Sequence, residues 1–129
     1  MIVVDASAIV DALIDAPSGR AVRQALGQAD ALAAPALLTV EATSALWRLV
    51  RVGALSEGDA SLALRSLAAL PIEFVLHQQL VDSAWGHRQR IRISDGFYVA
   101  LAQHLRAPLL TTDQRLVRSD PGVPIVPLT

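Results

Sequence analysis

Cysteine is absent from the 129-residue chain, and so is lysine. The first absence removes zinc ribbons, thiol nucleophiles and disulfide frameworks together, and leaves the redox compartment open. The second removes every mechanism built on a catalytic lysine, since all 11 basic residues are arginine. No stretch is apolar for long enough to cross a bilayer, and no basic start leads into a long apolar run. The expectation is a cytoplasmic, soluble protein with no membrane partner. Repeats, low-complexity tracts and Gly/Ser-rich linkers are also missing, so a single domain is expected over 1–129. The net charge of −1 provides no general attraction for nucleic acid. Any polyanion must be held by a local patch or by a metal.

What is present is enough apolar residue, 53%, to fill one core. Short apolar runs alternate with helical patterns. Ile2-Val3-Val4 is β-branched and predicts a strand buried on both faces. Ser7 is placed as the cap of a helix over 8–16, ended by Pro17, with a second helix over 19–27. A short strand over 31–34 precedes a helix over 35–52, opened by Pro35 and stopped by Gly53. Ser56 and Asp59 suit the start of a helix that Pro71 breaks. A strand over 72–76, a helix over 79–90, a helix over 95–105 capped by Ser94 and a strand over 109–111 follow. A last strand over 123–126, bounded by prolines, is expected at an edge. This alternation predicts a three-layer α/β/α fold with a central parallel sheet.

In such sheets the working crevice lies beyond the carboxyl ends of the strands. Asp5 stands at that end of the first strand, Asp113 two residues after the 109–111 strand, and Asp95 at a helix start. Glu41 is the anomaly, because its neighbours one turn away are Leu37, Leu38, Ser44 and Ala45. A carboxylate on a mainly apolar face needs a partner, and Arg48 is two turns along, so the partner must come from elsewhere. Each acid has an ordinary reading. Asp95 and Asp113 suit helix starts, Asp5 suits a turn, and Glu41 can extend to water. Capping explains neither Asp5 nor Glu41. If the four meet, their charges require a cation. Oxygen donors without His or Cys select Mg²⁺ or Mn²⁺, and the chemistry that follows is hydrolysis of a phosphodiester.

Four segments carry a family likeness. Val3-Val4-Asp5-Ala6-Ser7-Ala8 and Val40-Glu41-Ala42-Thr43-Ser44-Ala45-Leu46 resemble the first two motifs of the PIN domain. Asp95-Gly96-Phe97-Tyr98-Val99-Ala100-Leu101-Ala102 resembles the third, and Leu109-Leu110-Thr111-Thr112-Asp113-Gln114-Arg115-Leu116 the fourth. Order, spacing and chain length are most similar to the VapC toxins of bacterial toxin–antitoxin pairs. The resemblance implies a PIN fold and an endoribonuclease dependent on Mg²⁺ or Mn²⁺. It implies a catalytic cluster of Asp5, Glu41, Asp95 and Asp113, in which Asp5, Asp95 and Asp113 hold the metal, the first two most directly. Ser7 and Thr112 match small hydroxyl residues that support such a pocket. An RNA substrate, a cognate VapB-like antitoxin and a homodimer formed through helices are implied too. Gly96 stands where Ala is more usual and is expected to loosen the start of its helix.

His87, Arg88, Arg90 and Arg92 form the densest positive stretch, just ahead of Asp95. Arg88 and Arg92 are candidates for substrate phosphate, against the plainer reading of a solvated helix end. Trp47, Trp85 and Tyr98 are expected to serve packing. His77, His87 and His104 lack metal-ligand spacing. Asp11 and Asp15 read as solvated, Asp11 being near enough to Asp5 to support it. Phosphoryl transfer to an aspartate fits poorly, because a receiver site needs a lysine and a haloacid-type site an acid where Ser7 stands. The remaining alternatives are a binding module of the same fold without turnover, and a nuclease acting on DNA.

Overall fold

The computed structural model describes residues 1–128. The buried run Ile2–Val4 forms β1, followed by α1 (Ala6–Leu13) and α2 (Gly19–Gln28). Next come β2 (Leu32–Pro35), α3 (Leu37–Arg51), α4 (Glu57–Ala69) and β3 (Ile72–Val75). A single 3-10 turn, His77–Gln79, leads to α5 (Val81–Trp85), α6 (Ile93–Leu105), β4 (Leu109–Leu110) and α7 (Gln114–Arg118). The four strands are all parallel, in the order β3-β2-β1-β4. Helices flank the sheet, with α6 packed on β1, β2 and β4, as expected of the three-layer α/β/α fold. Val3 and Val4 of β1 and Leu109 and Leu110 of β4 are fully buried, together with Ile9, Leu38, Val99 and Leu101 from the helices over them.

Local chemistry sets most boundaries. Gly53 adopts φ +77 just past α3, a conformation that ends helices and that glycine enters without steric cost. Ser56 caps α4 by accepting the Asp59 N–H at 3.0 Å. Leu70 turns extended ahead of Pro71, which stops α4.

Several expectations are corrected. Pro35 does not open α3. It is the last residue of β2, where a missing N–H costs little, and it stands opposite Val75. The free N–H of Leu37 at the start of α3 instead donates to His77 Nε2 at 2.7 Å, and the His77 ring meets Phe97 edge-on. The helix over 79–90 shrinks to α5, because the chain turns at 86–90 to reach α6. The segment over 123–126 touches β4 through one parallel bridge between Leu109 and Ile125 and forms no full strand. Gly96 also has a packing role: a Cβ there would lie 3.0 Å from the Ala84 carbonyl oxygen, so glycine lets α5 approach α6. Neither tryptophan is in the core, with Trp47 56% and Trp85 59% exposed. Among the described residues no helix is long and apolar enough to cross a membrane.

Candidate metal centre

The carboxyl ends of the neighbouring strands β1 and β4 gather the acids. Asp5 follows β1 directly, and its N–H extends the ladder by donating to the Leu110 carbonyl at 2.9 Å. Glu41 sits in the second turn of α3, Asp95 in the first turn of α6, and Asp113 just beyond β4. All four line one open groove of about 700 Å³, with Arg48 and Arg92 beside them.

Asp5 is 5% exposed. Its Oδ2 accepts the Ser7 hydroxyl at 2.8 Å and the Thr111 hydroxyl at 2.7 Å. Ser7 and Thr111 also accept the N–H groups of Thr112 and Asp113, both at 3.1 Å, which ties the end of β1 to the end of β4. Ser7 therefore lies inside α1 and does not cap it; Asp5 is the capping residue, without a side-chain bond. Thr112 joins through its backbone N–H, and the hydroxyl that reaches Asp5 belongs to Thr111. Burial pushes the Asp5 carboxyl from 3.8 up to about 6, against the two hydroxyls and with the help of Asp95 and Glu41.

Glu41 finds the partner its helix could not supply. Tyr98, fully buried, donates its hydroxyl to Glu41 Oε1 at 2.7 Å. Burial, then Asp5 and Glu41, push the phenol upward, so it stays a donor. Glu41 itself is raised by burial first and by Asp95, with Tyr98 and Arg92 opposing.

Asp95 is 7% exposed and is raised mainly by burial, with Arg92 opposing. It caps nothing, because α6 begins two residues earlier than expected, at Ile93, with Arg92 in the cap position and Ser94 inside the helix. Arg92 Nε donates to Asp95 Oδ2 at 3.3 Å and its terminal nitrogen to Asp113 Oδ2 at 3.4 Å. Asp113 does cap a helix, accepting the Arg115 N–H at 3.0 Å on Oδ1. Arg88 lies outside this cluster, over the Trp85 ring.

The donor set fits a hard divalent cation. Asp5, Glu41 and Asp95 are desolvated acids, and Asp95 raises both of the others, which is the charge excess that a cation offsets. Protein donors reach only one oxygen of each, Asp5 Oδ2, Glu41 Oε1 and Asp95 Oδ2. No buried side-chain oxygen among the described residues lacks a partner, so the other oxygens keep access to solvent. The ligands are all oxygen, as Mg²⁺ and Mn²⁺ prefer. Among the described residues no three acids or histidines are already drawn around one point. Arg92, between Asp95 and Asp113, is the cation at hand.

Two contributors were not legible as such. Tyr98 reads as packing, yet it stands three residues after Asp95, one turn along on a neighbouring face of α6. Thr111 is masked by Thr112, and only the end point of β4 decides which of the two side chains turns inward.

The PIN domain family model matches residues 2–120. Ribonuclease VapC3 of Mycobacterium tuberculosis is 42% identical over 123 residues, covering 94% of this chain and 88% of that protein. Ribonuclease VapC1 of the same organism is 39% identical, covering 95% and 92%. Among solved structures, that of PAE2754 from Pyrobaculum aerophilum superposes with a TM-score of 0.68, at 22% identity over 97% of this chain and 83% of that one.

Proposed function

The chain belongs to the PIN-domain family, and from that premise we propose that it is the toxin of a type II toxin–antitoxin pair, an endoribonuclease dependent on Mg²⁺ or Mn²⁺. The observation that carries this reading is the gathering of Asp5, Glu41 and Asp95, all raised by burial, on one groove with Asp113. The names of the VapC ribonucleases that it resembles at 34–42% identity support the choice of RNA.

Asp5 and Asp95 would hold the ion most directly, with Asp113, now paired with Arg92, as the third metal-holding acid. A bound ion supplies an activated water and offsets the charge that develops on the phosphodiester. The rest falls to the chain's own residues. Ser7 and Thr111 fix the Asp5 carboxylate so that only one oxygen is presented. Tyr98 anchors Glu41 at the rim, where its free oxygen can orient a water or take a proton. Arg92 brings a fork of donors that suits a phosphate next to the acids.

A VapB-like antitoxin is the proposed protein partner. The groove beside the acids continues along α1 and α3 past Ile14, Leu49 and Val52, an apolar wall for a partner segment. Trp47 and Val40, exposed on α3, are where a second copy would pack. The position of Arg92 on two of the acids is the one feature that favours a binding module without turnover.

Purified chain, free of antitoxin, is incubated with total bacterial RNA in Mg²⁺, in Mn²⁺ or in EDTA, beside Asp95→Asn, and new ends are mapped by sequencing. Discrete ends that require metal and Asp95 support the ribonuclease and identify its target. Metal binding without cleavage of RNA, or cleavage of DNA alone, overturns it.

A further inference from the structure

A second hollow, about 350 Å³, shares Asp95 and Arg92 with the acidic groove and is lined beyond them by Arg88, Arg90, Ile91 and Arg115. Four guanidinium groups thus stand on one side of the acids. Arg92 and Arg115 are engaged by Asp95 and Asp113. Arg88 and Arg90 are held differently. Arg88 donates to the Trp85 carbonyl at 3.0 Å, and Arg90 to the Asp120 carbonyl at 2.7 Å. Neither forms an ion pair among the described residues, so each is fixed in place with its charge uncompensated.

The aromatic neighbour adds a second kind of contact. The Arg88 guanidinium lies 4.6 Å over the Trp85 ring, and that indole is 59% exposed at the end of α5. A planar cation stacked on an open indole offers a flat surface to a base, while fixed arginines take phosphates. The chain is −1 overall, so this is a local concentration of positive charge, not part of a general field.

We propose that the Arg88–Arg90 hollow, with the Trp85–Arg88 stack at its edge, binds the single-stranded RNA flanking the scissile phosphate. This rests on the ribonuclease reading and gives the substrate a direction, from the acids across the start of α6 toward α5. Unpaired bases are required, because only they can be splayed onto the stack.

The test uses full-length protein in EDTA, which halts cleavage, and a short fluorescein-labelled single-stranded RNA followed by anisotropy at several salt concentrations. Arg88→Ala/Arg90→Ala is expected to weaken binding about tenfold and to lower the slope of log affinity against log salt by about 1.4, two single-strand phosphate contacts. Arg88→Lys/Arg90→Lys is expected to keep the slope, which guards against a folding defect. In a Trp47→Phe background, where Trp85 is the remaining indole, RNA is expected to quench the emission. Parental affinity and slope in the alanine variant overturn the proposal, and metal-dependent cleavage by the parent then leaves the ribonuclease reading standing. A parent that neither binds nor cuts RNA overturns both. Equal competition by polyglutamate or by duplex RNA also overturns it, in favour of an acidic partner segment or a sequence-blind polyanion site.

Discussion

Asp5→Asn is predicted to stabilise the metal-free protein at neutral pH while removing its activity. The Asp5 carboxyl is pushed up to about 6 from 3.8, mainly because it is buried. Between these values the folded state holds a proton that the unfolded state has lost, so stability falls as pH rises through this window. Above it the penalty is constant. The shift of about 2 units corresponds to about 3 kcal/mol. The amide oxygen of asparagine can still accept the Ser7 and Thr111 hydroxyls, so the gain is not cancelled by lost hydrogen bonds. For a chain of this length, about 3 kcal/mol corresponds to a rise in Tm of about 10 °C. The assay is thermal unfolding in EDTA at about pH 3 and about pH 7.5, the two sides of the window. The variant should exceed the parent at the higher pH and match it at the lower. Added Mg²⁺ should raise the parent's Tm far more than the variant's, since only the parent keeps the full ligand set. A variant no more stable than the parent at neutral pH, or a difference that persists at low pH, refutes the electrostatic account of the site.

Tyr98→Phe removes the donor to the Glu41 carboxylate; a loss of about 2 kcal/mol, or about 7 °C in Tm, is expected in denaturant or thermal unfolding. Thr111→Val takes a donor from buried Asp5 and an acceptor from the Asp113 N–H, and should cost about 2 kcal/mol. Thr112→Val, whose hydroxyl makes no hydrogen bond among the described residues, should stay within about 0.5 kcal/mol of the parent in the same measurement. Asp95→Asn should abolish RNA cleavage while the circular dichroism spectrum and cooperative unfolding are retained; cleavage at the parental rate removes Asp95 from the site.

The layer order and the acids' rim were legible because both depend on strong, local signals. A β-branched triplet at 2–4 can only be a buried central strand, and an acid directly after it must stand on the carboxyl edge. The likeness of four short motifs added what no single motif carries, since Glu41 by itself is only an acid on an apolar helix. What was hidden depends on contacts between distant segments. Tyr98 and Glu41 are 57 positions apart, and Thr111 and Asp5 are 106 apart. Their pairing is settled by which way α6 and the end of β4 face, to within a single residue. Pro35 illustrates the same limit at shorter range, because proline suits the first turn of a helix and the end of a strand equally well. Trp47 and Trp85 read as core or helix-packing residues, whereas more than half of each is exposed.

We propose that Asp5, Glu41, Asp95 and Asp113 form a divalent-metal centre. Its most direct test is a crystal of the protein soaked in Mn²⁺, with data collected at the manganese absorption edge. The account predicts an anomalous peak between Asp5 and Asp95, with Glu41 and Asp113 beside it and Arg92 withdrawn, and no peak there in Asp95→Asn crystals. No peak at the groove in the parent, or one held by other residues, contradicts it.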